Sequence, residues 1–340
     1  MELPGIDASG FTDWFVQQGV EVEPPLEFNP IAGGHSNLTY EVRDRNRRGW
    51  ALRRPPLGRP VATAHDVVRE ARIQVAMRGT PVAVADVLGI CEDASVIGAP
   101  FYVMEFVDGT VIRTRSIAEN FSVSQRAKVS SSVIEMLAAI HALDLQSVGL
   151  AELSHHDGYV DRQLKRWYGQ FKKTQQRDIP GIETAYEILA ADVPQQRRTT
   201  LVHGDYRLDN CMISQEGGVA AVLDWEICTL GDPLADLGLL MVYWTRPGDR
   251  VRVGLSGATT LAGFFEREEM CRTYESLTGS DLSSLTYYTA FGYWKLACIL
   301  EGVYARYRAG AMATHNDSER GEAFGRQVLK LADASLLFLK

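Results

Sequence analysis

The stretch His203-Gly204-Asp205-Tyr206-Arg207-Leu208-Asp209-Asn210, followed fourteen positions after Asn210 by Asp224-Trp225, decides the reading of this chain. Phosphoryl transfer needs little covalent help from protein; it needs a carboxylate on the attacking hydroxyl and oxygen ligands for magnesium ions bridging the nucleotide phosphates. Asp205 stands at the base position of such a loop, Asn210 can ligate a metal ion through its amide oxygen, and Asp224 offers a hard carboxylate. The flanks supply a scaffold. Residues 201–202 lead in as a strand, 212–213 lead out, 214–218 turn the chain, and 219–223 return to set Asp224 beside Asn210.

Composition sets the outer limits. A chain of 340 residues exceeds one typical core, so two lobes are expected, and 46% hydrophobic with 23% charged residues describe an ordinary globular protein. A net charge of −8 disfavours wholesale nucleic-acid binding. No apolar run reaches membrane-spanning length and residues 1–20 lack the pattern of a signal peptide, which predicts a cytoplasmic protein without a membrane partner. Cys91, Cys211, Cys228, Cys271 and Cys298 are odd in number and scattered, as expected of buried reduced thiols.

Upstream of the loop, residues 1–107 read as a β-rich lobe. A strand at 28–32 precedes the turn Gly33-Gly34-His35-Ser36-Asn37, after which Leu38, Tyr40 and Val42 alternate as a half-buried strand should. Turn residues at 46–49 lead to a strand at 50–54, ended by Pro55-Pro56. Val67, Val68, Ala71, Val75 and Ala76 recur at helical spacing within 64–78, with Thr63 as the expected cap, and strands follow at 82–90 and 99–107. This is the order of a nucleotide-binding lobe. Gly33, Gly34, Ser36 and Asn37 would form its phosphate-covering turn, because glycine lets backbone N–H groups approach closely. Arg53 falls where a phosphate-binding cation is expected, with Glu70 on the helix to orient it. Residues 104–109 would form the hinge, the backbones of Glu105 and Val107 meeting the adenine edge.

Residues 108–340 read as mainly helical, with helices at 124–143, 159–171, 182–191, 233–244, 259–277, 285–308 and 319–339 around the catalytic hairpin. The fold class expected is therefore α+β and bilobal, a small antiparallel lobe with one helix plus a larger helical lobe.

Taken together, Gly33 to Tyr40, Leu52-Arg53-Arg54-Pro55-Pro56, Val96 to Glu105, the HGDYRLDN loop and the run from Leu223-Asp224-Trp225-Glu226 to Gly231-Asp232-Pro233-Leu234-Ala235-Asp236-Leu237 are identifying. Across residues 30–240 the chain resembles the aminoglycoside phosphotransferase and choline kinase superfamily of protein-kinase-like folds. Within it, the chain looks like the branch related to the kinase-like domain fused to some acyl-CoA dehydrogenases. The resemblance implies ATP- and Mg2+-dependent phosphorylation of a small-molecule hydroxyl. Asp205 would be the catalytic base, Asn210 and Asp224 the metal ligands, Asp236 the buttress of the loop and His203 a structural hydrogen-bonder.

The departures are informative. Arg53 replaces the family's usual lysine, and a forked guanidinium grips phosphate differently from an ammonium; Arg54 is the alternative ligand. Trp225-Glu226 follow Asp224, and the short stretch from Asp224 to Asp236 leaves little room for a regulatory activation loop, which predicts constitutive activity. Arg207 is placed to offset charge on the transferring group. Arg162, Lys165 and Arg166 share a helix face suited to an anionic acceptor, and Tyr288, Trp294 and Tyr304 are candidate pocket residues. A hydroxy acid or hydroxyacyl-CoA is the preferred acceptor, an aminoglycoside or macrolide antibiotic the alternative. An inactive nucleotide-binding scaffold is a third reading, disfavoured because base and metal ligands are all present. The oligomeric state is not legible.

Overall fold

The computed structural model describes residues 5–31, 37–57, 66–249, 251, 257–309 and 317–340. Its first part is a five-stranded antiparallel sheet in the order β1-β2-β3-β5-β4, from β1 (Glu27–Pro30), β2 (Leu38–Arg43), β3 (Gly49–Arg54), β4 (Val87–Cys91) and β5 (Phe101–Glu105). Because strand side chains alternate in direction, each strand serves two faces. Trp50 and Leu52 of β3 and Phe101 and Val103 of β5 join Tyr40 and Val42 on one face. Tyr102 and Met104 point to the other, where helix α2 (Val67–Met77) packs through Val67 and Ala71.

The first face is covered by an element absent from the sequence expectations, helix α1 (Ala8–Gln17). Its signal was present: Asp7 caps the Ser9 and Gly10 amides, and Phe11, Trp14 and Phe15 fall at helical spacing. Phe11 and Phe15 are fully buried, and Trp14 meets Phe101 edge to face at 4.6 Å.

The expected strand at 82–90 is shorter and later, and α2 is capped by Asp66. Thr63 and the turn residues Gly33, Gly34 and Ser36 lie outside the described residues.

The remaining chain is mainly helical. A short strand β6 (Thr110–Val111), a short helix α3 (Arg115–Glu119) and the long α4 (Val123–His141) come first, α4 opening with a Ser122–Gln125 capping box. After α5 (Tyr159–Thr174) and α6 (Pro180–Ala191) comes the hairpin region: β7 (Thr200–Val202), β8 (Cys211–Ile213), β9 (Val219–Val222) and β10 (Thr229–Gly231). β7 pairs with β10, while β8 lies between β6 and β9. Helices α7 (Leu234–Tyr243), α8 (Arg267–Thr278), α9 (Leu285–Arg308) and α10 (Asp317–Phe338) complete the core. The helix expected at 259–277 begins only at Arg267, after a single 3-10 turn at Ala258–Thr260.

The packing of α7 on α9 depends on Gly238: a Cβ there would lie 2.6 Å from the Tyr288 carbonyl carbon. All five cysteines are unpaired, and four of them are buried. Among the described residues no helix is long and apolar enough to cross a membrane.

Candidate active site

The loop between β7 and β8 is held from below by one carboxylate. Asp236, in the first turn of α7 and fully buried, accepts the backbone N–H of His203 at 2.6 Å and of Gly204 at 2.8 Å. Burial alone would raise its carboxyl. The His141 hydrogen bond and charge, then His203 and the Gly204 amide, reverse this and hold it below the usual Asp range.

His203 is committed at both ring nitrogens. Nε2–H donates to the Leu223 carbonyl at 2.9 Å, and Nδ1 accepts the Asp205 backbone N–H at 3.2 Å. That pairing fixes the tautomer and ties the loop to the segment delivering Asp224. Gly204 between them adopts φ +84°, a left-handed conformation that a side chain would strain.

Asp205 projects from this clamped segment with about a quarter of its side chain exposed (24%). Asn210 Nδ2 donates to the Asp205 carbonyl at 2.8 Å and to Asp205 Oδ2 at 3.0 Å, so it is the amide oxygen that could take a metal ion. The Leu223 N–H donates to the Asn210 carbonyl at 2.8 Å, so Asp224 emerges next to Asn210 as the sequence spacing requires. Asp224 sits at φ 68°, ψ 60°, one of only two non-glycine residues with positive φ among those described. Such backbone costs are concentrated where a side chain must be aimed. An amide oxygen and a carboxylate are hard donors of the kind Mg2+ takes in nucleotide sites, so the chemistry of these residues fits the ion.

Arg207 lies near Asp205: its Nε is 3.2 Å from Asp205 Oδ2, though not aligned as a hydrogen bond, and Nη1 donates to Asp209 at 3.3 Å. Its guanidinium covers the Tyr243 ring at 4.9 Å, a partner the sequence reading missed.

From the sheet, Arg53 reaches the same place. Its Nε donates to Glu70 Oε2 at 2.9 Å and its Nη2 to Asp224 Oδ1 at 2.5 Å. Arg54 is excluded as the phosphate ligand by strand alternation. It turns to the α1 face, where its guanidinium is buried against the backbone carbonyls of Gly5 and Ile97. Arg69, beside Glu70 on α2, donates to the carbonyls of Glu226 at 3.3 Å and Cys228 at 2.5 Å. Helix α2 is thus moored to the segment after Asp224 by two neighbouring side chains, which the sequence reading saw only through Glu70. Asn37 donates to Glu226 Oε2 at 3.3 Å, while its own Oδ1 is buried without a partner among the described residues. At the expected hinge, the Glu105 N–H donates to the Asp86 carbonyl at 2.9 Å.

Other expectations need correction. Tyr288 donates its hydroxyl to Asp232 and Trp294 its indole N–H to Ile182, both in the buried core; Tyr304 is buried under Arg177. They are packing residues, as aromatic stripes on helices usually are. Arg162 caps the carbonyls of His155 and Leu230, so only Lys165 and Arg166 of the cationic face stay exposed. Lys295 of α9 is a buried cation beside the loop that the sequence reading passed over, donating to the Gly204 carbonyl at 2.7 Å.

A sheet with one inner helix, a helical body and this loop define a kinase-like phosphotransferase fold. Residues 27–277 match the phosphotransferase enzyme family, and the chain belongs to that family. It is 34% identical to acyl-CoA dehydrogenase family member 10 of Mus musculus over 308 residues, 89% of this chain and 29% of that protein. With family member 11 of Homo sapiens it shares 32% identity over 326 residues, 95% of this chain and 41% of that protein. The chain therefore spans well under half the length of these relatives. A solved structure from Ralstonia eutropha, provisionally named an aminoglycoside phosphotransferase, superposes with a TM-score of 0.81 at 31% identity, covering 98% of each chain. The macrolide 2'-phosphotransferase of Brachybacterium faecium shares the fold alone, with a TM-score of 0.60 at 18% identity over 93% of this chain and 97% of its own.

Proposed function

We propose that the protein is a small-molecule kinase that transfers the γ-phosphate of ATP to a hydroxyl of a hydroxy acid or its coenzyme A thioester. The observation carrying this reading is the convergence of Asp205, Asn210 and Asp224, joined through one amide and one backbone bond, on a loop clamped by Asp236. A neighbour of the same fold (TM-score 0.56) has been solved with ATP and streptomycin, which supports nucleotide use by this architecture.

In this reading the adenine lies against the Glu105–Val107 backbone. Asp205 receives the acceptor hydroxyl on the carboxylate oxygen not held by Asn210. Alignment of the hydroxyl matters more than early proton removal. Mg2+, held by Asn210 and Asp224, would supply charge neutralisation across the phosphates. Arg53, oriented by Glu70, adds a second cation on the sheet side. Arg207 steadies Asp205 and places positive charge near the transferring group. The mooring of α2 by Arg53 and Arg69 supports activity without a regulatory phosphorylation step.

The acceptor class rests on the relatives joined to dehydrogenases and on the exposed cations Lys165 and Arg166. A panel of hydroxy acids, their coenzyme A thioesters, aminoglycosides and macrolides, read by ADP release with Asp205→Asn as control, tests it. Release confined to the antibiotics would replace the proposed acceptor. Magnesium-dependent nucleotide binding with no turnover on any compound would mark an inactive scaffold.

A further inference from the structure

Between Ser284 and Leu300, α9 carries a single charged residue, Lys295, and that side chain is only 4% exposed. An ammonium taken out of water costs several kcal/mol unless something compensates, so leucine or methionine would be the ordinary occupant. Among the described residues no carboxylate pairs with it. Its hydrogen bond goes to the Gly204 carbonyl, and the Trp167 ring lies 5.5 Å away.

The choice of acceptor is telling. The Gly204 carbonyl belongs to the same peptide group as the Asp205 N–H, which donates to His203 Nδ1. That peptide is therefore gripped at both ends, the oxygen by Lys295 and the N–H by His203, while Asp236 holds the N–H one peptide earlier. The orientation of this plane determines where the Asp205 side chain projects.

We propose that Lys295 is a positioning residue for phosphoryl transfer: its grip on the Gly204 carbonyl sets the peptide from which the Asp205 carboxylate is aimed. The inference rests on the kinase reading above. Lys295 acts through Asp205, so helix α9 helps set the geometry of the base. Burial weakens the ammonium's hold on its proton, opposed by Asp205 and Asp236, with Arg166 repelling it. A group of this kind is tolerated for its field and its donor, since a methionine would fill the volume without the desolvation cost.

The test compares Lys295→Met, which fills the space without a donor, with Lys295→Gln, which keeps an N–H donor but no charge. Turnover is measured as ADP release with an accepted substrate and with water alone. Misplacement of a reacting group by about 1 Å costs on the order of 100-fold. The expected kcat falls about tenfold for Gln and about 100-fold for Met, while the acceptor KM and the nucleotide Kd stay within about twofold. A packing role predicts the opposite order, since Met removes a buried charge and keeps the volume. Met equal to or better than Gln, Gln at the parental kcat, or a loss confined to KM would each overturn the proposal. If Met does not fold, the fall in kcat of Gln at unchanged KM and Kd decides. Hydrogen–deuterium exchange across residues 201–210 gives a readout independent of turnover: protection should drop in Met, or in Gln by less, and unchanged protection counts against the clamp. A parent that turns over no acceptor condemns the kinase reading instead, and leaves the exchange result to judge Lys295.

Discussion

Replacing Asp236 by Asn keeps shape and volume but changes what the loop amides meet. In the parent, one carboxylate accepts two buried N–H groups at 2.6 and 2.8 Å. The Asn carbonyl can satisfy one; the other N–H then faces an amide donor and loses its partner, which costs about 1–3 kcal/mol. The surviving bond falls from charge-assisted to neutral, about 1 kcal/mol more. The sum, about 2–4 kcal/mol, corresponds to a Tm lowered by roughly 3–6 °C in a chain this long. Urea unfolding gives the stability, and ADP release gives the turnover, which should fall on the order of 100-fold as Asp205 loses its aim. The pH dependence has a definite sign. Because the folded state holds the Asp236 carboxyl below its ordinary range, its contribution is complete above about pH 4 and is lost only as pH drops through the lower folded-state value. The stability gap between parent and variant should therefore be flat from neutral pH down to about 4 and close below it. A variant within 1 °C of the parent and within twofold in kcat would refute the account of the loop's support.

Asp205→Asn should lower kcat by about 10²–10⁴ while nucleotide Kd, followed by fluorescence titration, changes less than about twofold. Arg53→Met strands Glu70, a carboxylate 1% exposed, and should cost about 3–5 kcal/mol in urea unfolding; adding Glu70→Leu should recover much of it, and a double-mutant cycle without coupling would discredit the bridge. Asp224→Gly removes a side chain from left-handed backbone, so melting should stay near the parent while magnesium-dependent nucleotide stabilisation disappears; retention of that dependence speaks against Asp224 as a ligand. Gly238→Ala forces a Cβ to 2.6 Å from the Tyr288 backbone and should destabilise by about 1–3 kcal/mol, measured by thermal melting.

Much of this architecture was legible before any coordinates. The alternation of Leu38, Tyr40 and Val42 placed β2, and the spacing from Asn210 to Asp224 placed a hairpin, because such short-range patterns carry their own geometry. The Arg53–Glu70 pair also followed from order along the chain. What escaped was settled by long-range packing. Arg54 and Arg53 are indistinguishable in sequence; the choice depends on which face of β3 meets α1 and which meets α2. Tyr288, Trp294 and Tyr304 have the same periodicity whether they line a pocket or fill a core. Lys295 did leave a trace, a lone charge in an apolar helix, but its partner is a backbone carbonyl 91 residues away. Helix α1 belongs with the legible elements, since the Asp7 cap and the spacing of Phe11, Trp14 and Phe15 are local signals.

That last helix has a practical bearing. Family-based boundaries would start an expression fragment at residue 27, ten residues beyond the end of α1. Such a protein, trimmed at its start alone, would retain every side chain assigned to chemistry, yet would leave Trp50, Phe101 and Val103 facing water where Phe11 and Phe15 had shielded them. An insoluble or sluggish fragment cut at that boundary would report a stripped hydrophobic surface, not a failed catalyst.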